Sequence, residues 1–253
     1  MSRRFFLLAP LVAALLLGCD SSPETKSSSA TSPPDGLSRR ADLPPLVDGQ
    51  AAACVPACTD GRVVPQIAAG PYQTQWFFGG YMTLAFDEPW TGVEDSAGEF
   101  KVRPPDGGEY GVSFSLDNFL VRDKSEATGT PRTAAAWINW HRQDPRLVVS
   151  EPVAVTLGGI KATAVDLRLS PKATKENADC PAPCVDLWGN AKFNHYGGIL
   201  GDDVYRLYLS DVKYSGSDHL LLIIVEGQDA AHLKRTTPAI EHLLTTVSLP
   251  VAR

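Results

Sequence analysis

Four of the five cysteines stand as two copies of Cys-x-x-x-Cys: Cys54 and Cys58 in AACVPACTD, and Cys180 and Cys184 in ADCPAPCVD. Thiols at this spacing support three chemistries. A tight turn can bring each Cα pair within the roughly 7 Å a disulfide needs. Four thiolates together could hold zinc, or Cu(I), which prefers soft sulfur. A redox dithiol needs a helix N-terminus or a cation to lower its pKa, and neither motif offers one. Pro56, Pro181 and Pro183 favour bends and argue against a continuous helix through either motif. Four cysteines allow three pairings. In the chain-entropy model a local bridge stabilises by about 2 kcal/mol, and one joining the two motifs, closing about 125 residues, by nearer 5. The local pairs need no tertiary coincidence. In an exported chain Cys54, Cys58, Cys180 and Cys184 are therefore expected as disulfides. Bridges between the motifs and a thiolate metal site remain the alternatives.

Other catalytic patterns are thin. The chain has no Gly-x-Ser-x-Gly, His-Glu-x-x-His, phosphate loop or dinucleotide fingerprint. Ser215 or Ser217 with Asp218 and His219 could imitate a hydrolase triad, but turn chemistry explains Tyr214–Asp218 more simply. No enzyme activity, cofactor or resident metal is expected. The best candidate surface is the connection from Pro171 to Asp203, which is long for a loop in a compact domain. Trp188, Phe193, His195 and Tyr196 crowd its later part around glycines, with Asp202 and Asp203 as acceptors. They are the ligand-binding candidates. The competing view has Trp188 and Phe193 filling a satellite core beside the cysteine pair.

These residues need an address and a scaffold. The chain starts MSRRFFLLAPLVAALLLGCD, a short positive region, an apolar run from Phe5 to Leu17, then Gly18 and Cys19. That is a secretory signal by charge and length, too short to span a bilayer. Leu16-Leu17-Gly18-Cys19 resembles the lipobox of bacterial lipoproteins, which implies cleavage after residue 18 and diacylation of Cys19. Ser2-Arg3-Arg4-Phe5-Phe6-Leu7 resembles the twin-arginine export motif, with Leu8 where that motif usually has lysine. Residues 20–40, rich in Ser, Thr and Pro, cannot offset their ordering entropy and are expected to be a tether with an end-to-end distance of roughly 25 Å. The chain carries 23 Lys and Arg against 29 Asp and Glu, and loss of Arg3 and Arg4 moves the balance from −6 to −8. An acidic chain without a basic run is a poor nucleic-acid binder.

Residues 41–253 are expected to form a single α+β domain. Tyr81–Phe86, Glu99–Arg103 and Tyr110–Leu116 alternate as strands, the last with Val112, Phe114 and Leu116 on one face. Thr130 and Pro131 can open a helix carrying Ala134, Trp137, Ile138 and His141 at helical spacing. Pro152–Leu157 and Ile160–Leu169 flank Gly158-Gly159, a hairpin turn. Val204–Leu209 and Leu220–Val225 form another pair, the second without alternation and so covered on both faces. A C-terminal helix is expected to break near Thr237-Pro238 and resume through Ile240, Leu243 and Leu244. Strands joined by hairpins imply a mostly antiparallel sheet flanked by helices. Met82–Phe86 followed by Trp90, EDSAGEF leading into the next strand, a mid-chain helix before a hairpin, and a last strand running into a C-terminal helix resemble the PsbP-like fold of photosystem extrinsic subunits and many bacterial lipoproteins. The resemblance covers roughly residues 75–250 and implies a non-enzymatic accessory or binding protein. The expectation is thus a lipid-anchored protein on the extracytoplasmic face of the cell membrane, binding a protein or small molecule. The alternative is an exported zinc- or copper-binding protein.

Overall fold

Turn chemistry and burial together explain the strand pairings. The computed structural model describes residues 42–46, 66–95, 98–105, 108, 110–116, 118–122, 125–126, 132–176, 180–190 and 195–250. In chain order the first strands are β1 (Pro45–Leu46), β2 (Gln66–Ile67), β3 (Gly70–Thr74), β4 (Thr83–Phe86), β5 (Trp90–Asp95) and β6 (Glu99–Arg103). There follow β7 (Val112–Leu116), β8 (Phe119–Arg122), β9 (Ser125–Glu126), helix α1 (Ala134–Arg142), β10 (Leu147–Val149) and β11 (Val153–Leu157). The rest are β12 (Ile160–Leu169), β13 (Cys184–Asn190), β14 (His195–Leu200), β15 (Val204–Tyr214), β16 (Ser217–Gly227) and helix α2 (Ala230–Thr246).

The main sheet is antiparallel, in the order β10-β12-β15-β16-β7-β6-β5-β2, with β11 beside β10 along β12. Two of its hairpins turn through left-handed pairs: Gly158-Gly159 (φ 55° and 84°) and Ser215-Gly216 (φ 51° and 78°). Such turns match the twist of the flanking strands. One face packs Tyr208, Val212, Leu221, Ile223 and Val225 against Leu233, Ile240, Leu243 and Leu244 of α2 and against β4. The other packs Tyr205, Leu207, Leu209, Leu222 and Ile224 against Trp137 of α1 and Leu187 and Trp188 of β13. The architecture is therefore α+β and mostly antiparallel, as its strand patterns imply.

Four local expectations change. All five residues of β7 are buried, because it is paired on both sides and covered on both faces. Helix α1 begins at Ala134, where Asp211 accepts the first N–H at 2.8 Å and the Thr133 hydroxyl accepts from Ala136. Thr130 and Pro131 lie outside the described residues, and the cap is Thr133. Helix α2 runs through Pro238 without a break. The N–H that proline lacks would have reached the Lys234 carbonyl, and Lys234 and Pro238 are both exposed, so that carbonyl is open to solvent. Finally, the connection 171–203 is not a loop. Cys184–Asn190 and His195–Leu200 pair as antiparallel β13 and β14, which with β8 and β9 make a second sheet. A third, small sheet joins β1, β3 and β4, with β1 parallel to β3.

Candidate binding surface

The turn after β3 is the most over-determined segment of the described chain. The Thr74 hydroxyl, fully buried, donates to the Phe77 carbonyl at 2.8 Å. The Asp95 carboxylate at the end of β5, 4% exposed, accepts the backbone N–H groups of Gln75, Trp76 (3.2 Å) and Phe77 (2.9 Å). Charge-assisted bonds from three successive amides fix the path of the chain. Phe77 and Phe78 then enter the core, their rings edge-to-face at 4.9 Å. Phe77 reaches Phe100 and Phe114, each at 6.4 Å, and Phe78 meets Tyr214 at 5.1 Å.

This packing holds an unfavourable backbone. Phe78 lies at φ 51°, ψ 39°, and Gly79 and Gly80 follow at φ 63° and 81°. A left-handed residue with a Cβ costs roughly 1–2 kcal/mol. A Cβ on Gly79 would sit 2.7 Å from the Tyr214 hydroxyl. Clamped between these features, Trp76 is 53% exposed. Beyond it, Phe78 and Gly79 bring the turn against the half-buried Tyr214, which is followed by the exposed Ser215, Gly216 and Ser217, and the half-buried Tyr81 lies against Gly79. The backbone that carries this indole is fixed, and the ring presents a broad apolar face with one N–H donor.

Of the six sequence candidates, only Trp188, Asp202 and Asp203 have described side chains. Trp188 is 6% exposed, with its ring 6.0 Å from Tyr205, so it belongs to the core. The Tyr205 hydroxyl in turn donates to the Gly198 carbonyl at 2.8 Å. Phe193 lies outside the described residues, and His195 and Tyr196 are described only as backbone positions of β14, opposite Asn190 and Gly189. The glycines there are not turn residues: a Cβ on Gly197 would lie 2.2 Å from the Trp188 indole. Asp202 is exposed in the turn before β15. Asp203 accepts from the Tyr110 hydroxyl at 3.4 Å, and burial, with Glu226 and Asp202 nearby, pushes its carboxyl above the usual range.

Open cavities of about 210 and 450 Å³ share Asp166, Arg206 and Glu241 between the sheet and α2. Arg206 is already committed there. Its guanidinium makes a bidentate pair with Asp166 (2.8 and 3.1 Å), and Glu241 takes both Arg206 and the Tyr208 hydroxyl. The Asp166 carboxylate raises the Arg206 pKa further, while burial and Glu241 raise that of Tyr208. The cluster braces α2 against the sheet.

Cys180 and Cys184 form a disulfide with Cα atoms 6.2 Å apart. That is the local pairing, and it removes two of the four sulfurs a metal site would need. Cys54, Cys58 and Cys19 lie outside the described residues. Among the described residues no group of three His, Cys, Asp or Glu side chains could hold a metal ion, and no helix is long and apolar enough to cross a membrane. The sequence reading missed the Trp76 turn. Its signal was QWFFGG, three aromatics running into two glycines, but the acid that organises it lies 18 to 20 residues downstream.

No family model matches the chain, and no curated protein matches it. Among solved structures it is similar to a protein of Bacteroides thetaiotaomicron VPI-5482, with 10% identity over 74% of this chain and 50% of that one and a TM-score of 0.34. The chain thus spans about half the length of that protein. It is also similar to cyanobacterial PsbP (CyanoP) from Synechocystis sp. PCC 6803, with 10% identity over 79% of this chain and 99% of that one and a TM-score of 0.37.

Proposed function

We propose that the chain is an extracytoplasmic lipoprotein whose body acts as a non-catalytic binding or accessory module. Cys19 carries the acyl chains, residues 20–40 are the tether, and the working surface is the apex around Trp76. The observation that carries the reading is Trp76 itself, more than half exposed on a turn fixed by Asp95 and by a left-handed Phe78. A scattered exposed apolar residue needs no explanation. A strained, clamped backbone that holds an indole outward is different, because strain persists at sites that present something. Rigid aromatic anchors of this kind dominate binding surfaces.

The test has two arms on the full-length chain. Cys19→Ser should move the protein from the membrane fraction to the soluble one, and the wild-type N-terminal peptide should carry the mass of acyl chains. A photo-reactive aromatic amino acid at position 76 should give adducts in the producing cell, and the same group at exposed Glu151 should give few. Equal yields at the two positions would sink the binding surface, and an unmodified Cys19 would sink the anchor.

A further inference from the structure

We propose that the Trp76 apex docks on the bilayer that holds the chain's own lipid anchor, with the indole at the level of the lipid headgroups. The inference rests on the reading of Cys19 as the anchor and names the partner of the surface just described.

Where the chain enters the body is the first argument. Pro45 and Leu46 pair in parallel with Gln73 and Thr74, and the Gln73 N–H donates to the Pro44 carbonyl at 3.1 Å. Because β1 runs parallel to β3, chain arriving at Asp42 enters beside the start of β3 and then runs with it toward Trp76. At about 3.3 Å per residue, Pro44 lies roughly 10 Å from that tryptophan. A coil of the length of residues 20–41 spans roughly 25 Å. The Trp76 turn thus stands one short strand from the point where the anchored segment enters, within reach of a membrane held at high effective concentration. A single shallow aromatic contact suffices under those conditions.

Surface chemistry is the second argument. Tryptophan and tyrosine are the side chains that favour the headgroup region, where one end of the ring is apolar and the other wet. Trp76, Tyr81 and Tyr214 supply them, and the neighbouring Gly79, Ser215, Gly216 and Ser217 are small and uncharged. Of the charges described near the turn, Lys213 and Asp218 face each other at 3.7 Å, and the Asp95 carboxylate is only 4% exposed and spent on the turn's amides. Among the described residues the turn exposes little charge, which suits a zwitterionic surface, whereas the chain's overall acidity disfavours attraction to anionic lipid.

The experiment uses the full-length chain in phosphatidylcholine vesicles whose acyl chains are, or are not, brominated. Of the five tryptophans, Trp90, Trp137 and Trp188 are buried and Trp140 is half-buried, so Trp76 dominates any contact with lipid. Brominated vesicles should quench a component of the wild-type emission that Trp76→Phe lacks. Both chains should melt at the same temperature, since the side chain is exposed. Equal quenching in the two, or none in a wild-type chain that sediments with the vesicles, overturns the proposal while the anchor stands. If the wild-type N-terminal peptide carries no acyl mass, the anchor fails instead. Quenching at excess vesicles then judges the apex by itself.

Discussion

Asp95 shows how one side chain sets a surface. Its carboxylate replaces water for three amides inside the turn, and an amide side chain in its place would aim an NH₂ group at donors. Asp95→Asn should therefore cost about 2 kcal/mol. It should lower the urea midpoint with an unchanged slope and reduce the anisotropy of Trp76 emission as the turn loosens. A variant with wild-type midpoint and anisotropy would show that the rings of Phe77 and Phe78 hold the turn alone. His141 is a second buried polar group with a measurable signature. It is 3% exposed, stacked on Trp137 at 3.8 Å, with Nδ1 3.0 Å from the Trp137 carbonyl. Burial pushes its imidazole down to about 4 from an ordinary 6.5. As pH falls below 6.5 the unfolded chain takes up a proton that the folded chain refuses until about pH 4. The stability His141 contributes is complete above that window and declines through it, by up to about 3 kcal/mol. Urea midpoints should fall as pH drops from about 6.5 to about 4, and His141→Phe should flatten that dependence. An equally steep decline in the variant would assign it to other groups.

At the scale of elements, the pairing of β13 and β14 depends on glycines that have nothing to do with turning. Gly197 lies under the Trp188 indole, where any Cβ would overlap the ring. Gly197→Ala should cost about 3 kcal/mol by overpacking, read as a lower melting temperature with loss of near-ultraviolet tryptophan signal. A variant as stable as wild type would mean that β14 shifts freely away from β13. This pair also marks where the sequence was legible and where it was not. Strands that alternate or run fully apolar, such as Glu99–Arg103 and Leu220–Val225, and turns written Gly-Gly or Ser-Gly, announce themselves locally. CVDLWGN and HYGGIL do neither. Their glycines imitate loops, because the reason for them is an indole on the neighbouring strand. The unbroken α2 was hidden for a related reason. Pro238 reads as a stop, yet packing of Leu233, Ile240, Leu243 and Leu244 on the sheet outweighs one missing hydrogen bond. The candidate site was the least legible part, because Trp76 and Asp95 come together only through the pairing of distant strands.

For the molecule as a whole, the proposed docking on a membrane has to work through one exposed tryptophan. A lone indole gives a weak contact, so docking through it is a matter of effective concentration. That concentration falls roughly as the −3/2 power of tether length once the span is exceeded. Inserting a second copy of residues 20–40 after residue 40 nearly doubles the proposed tether and should lower the docking equilibrium constant about threefold. Nothing in the body changes, so the melting temperature should stay the same while the Trp76-specific quenching by brominated lipid declines. Removing the same segment should act in the opposite direction, because β1 enters beside the apex and needs no long reach. Quenching indifferent to tether length would mean that the apex meets lipid independently of the anchor. Quenching that increases with length would mean that the strand paired with β3 strains against the bilayer, so that the short tether opposes the docked attitude it was inferred to favour.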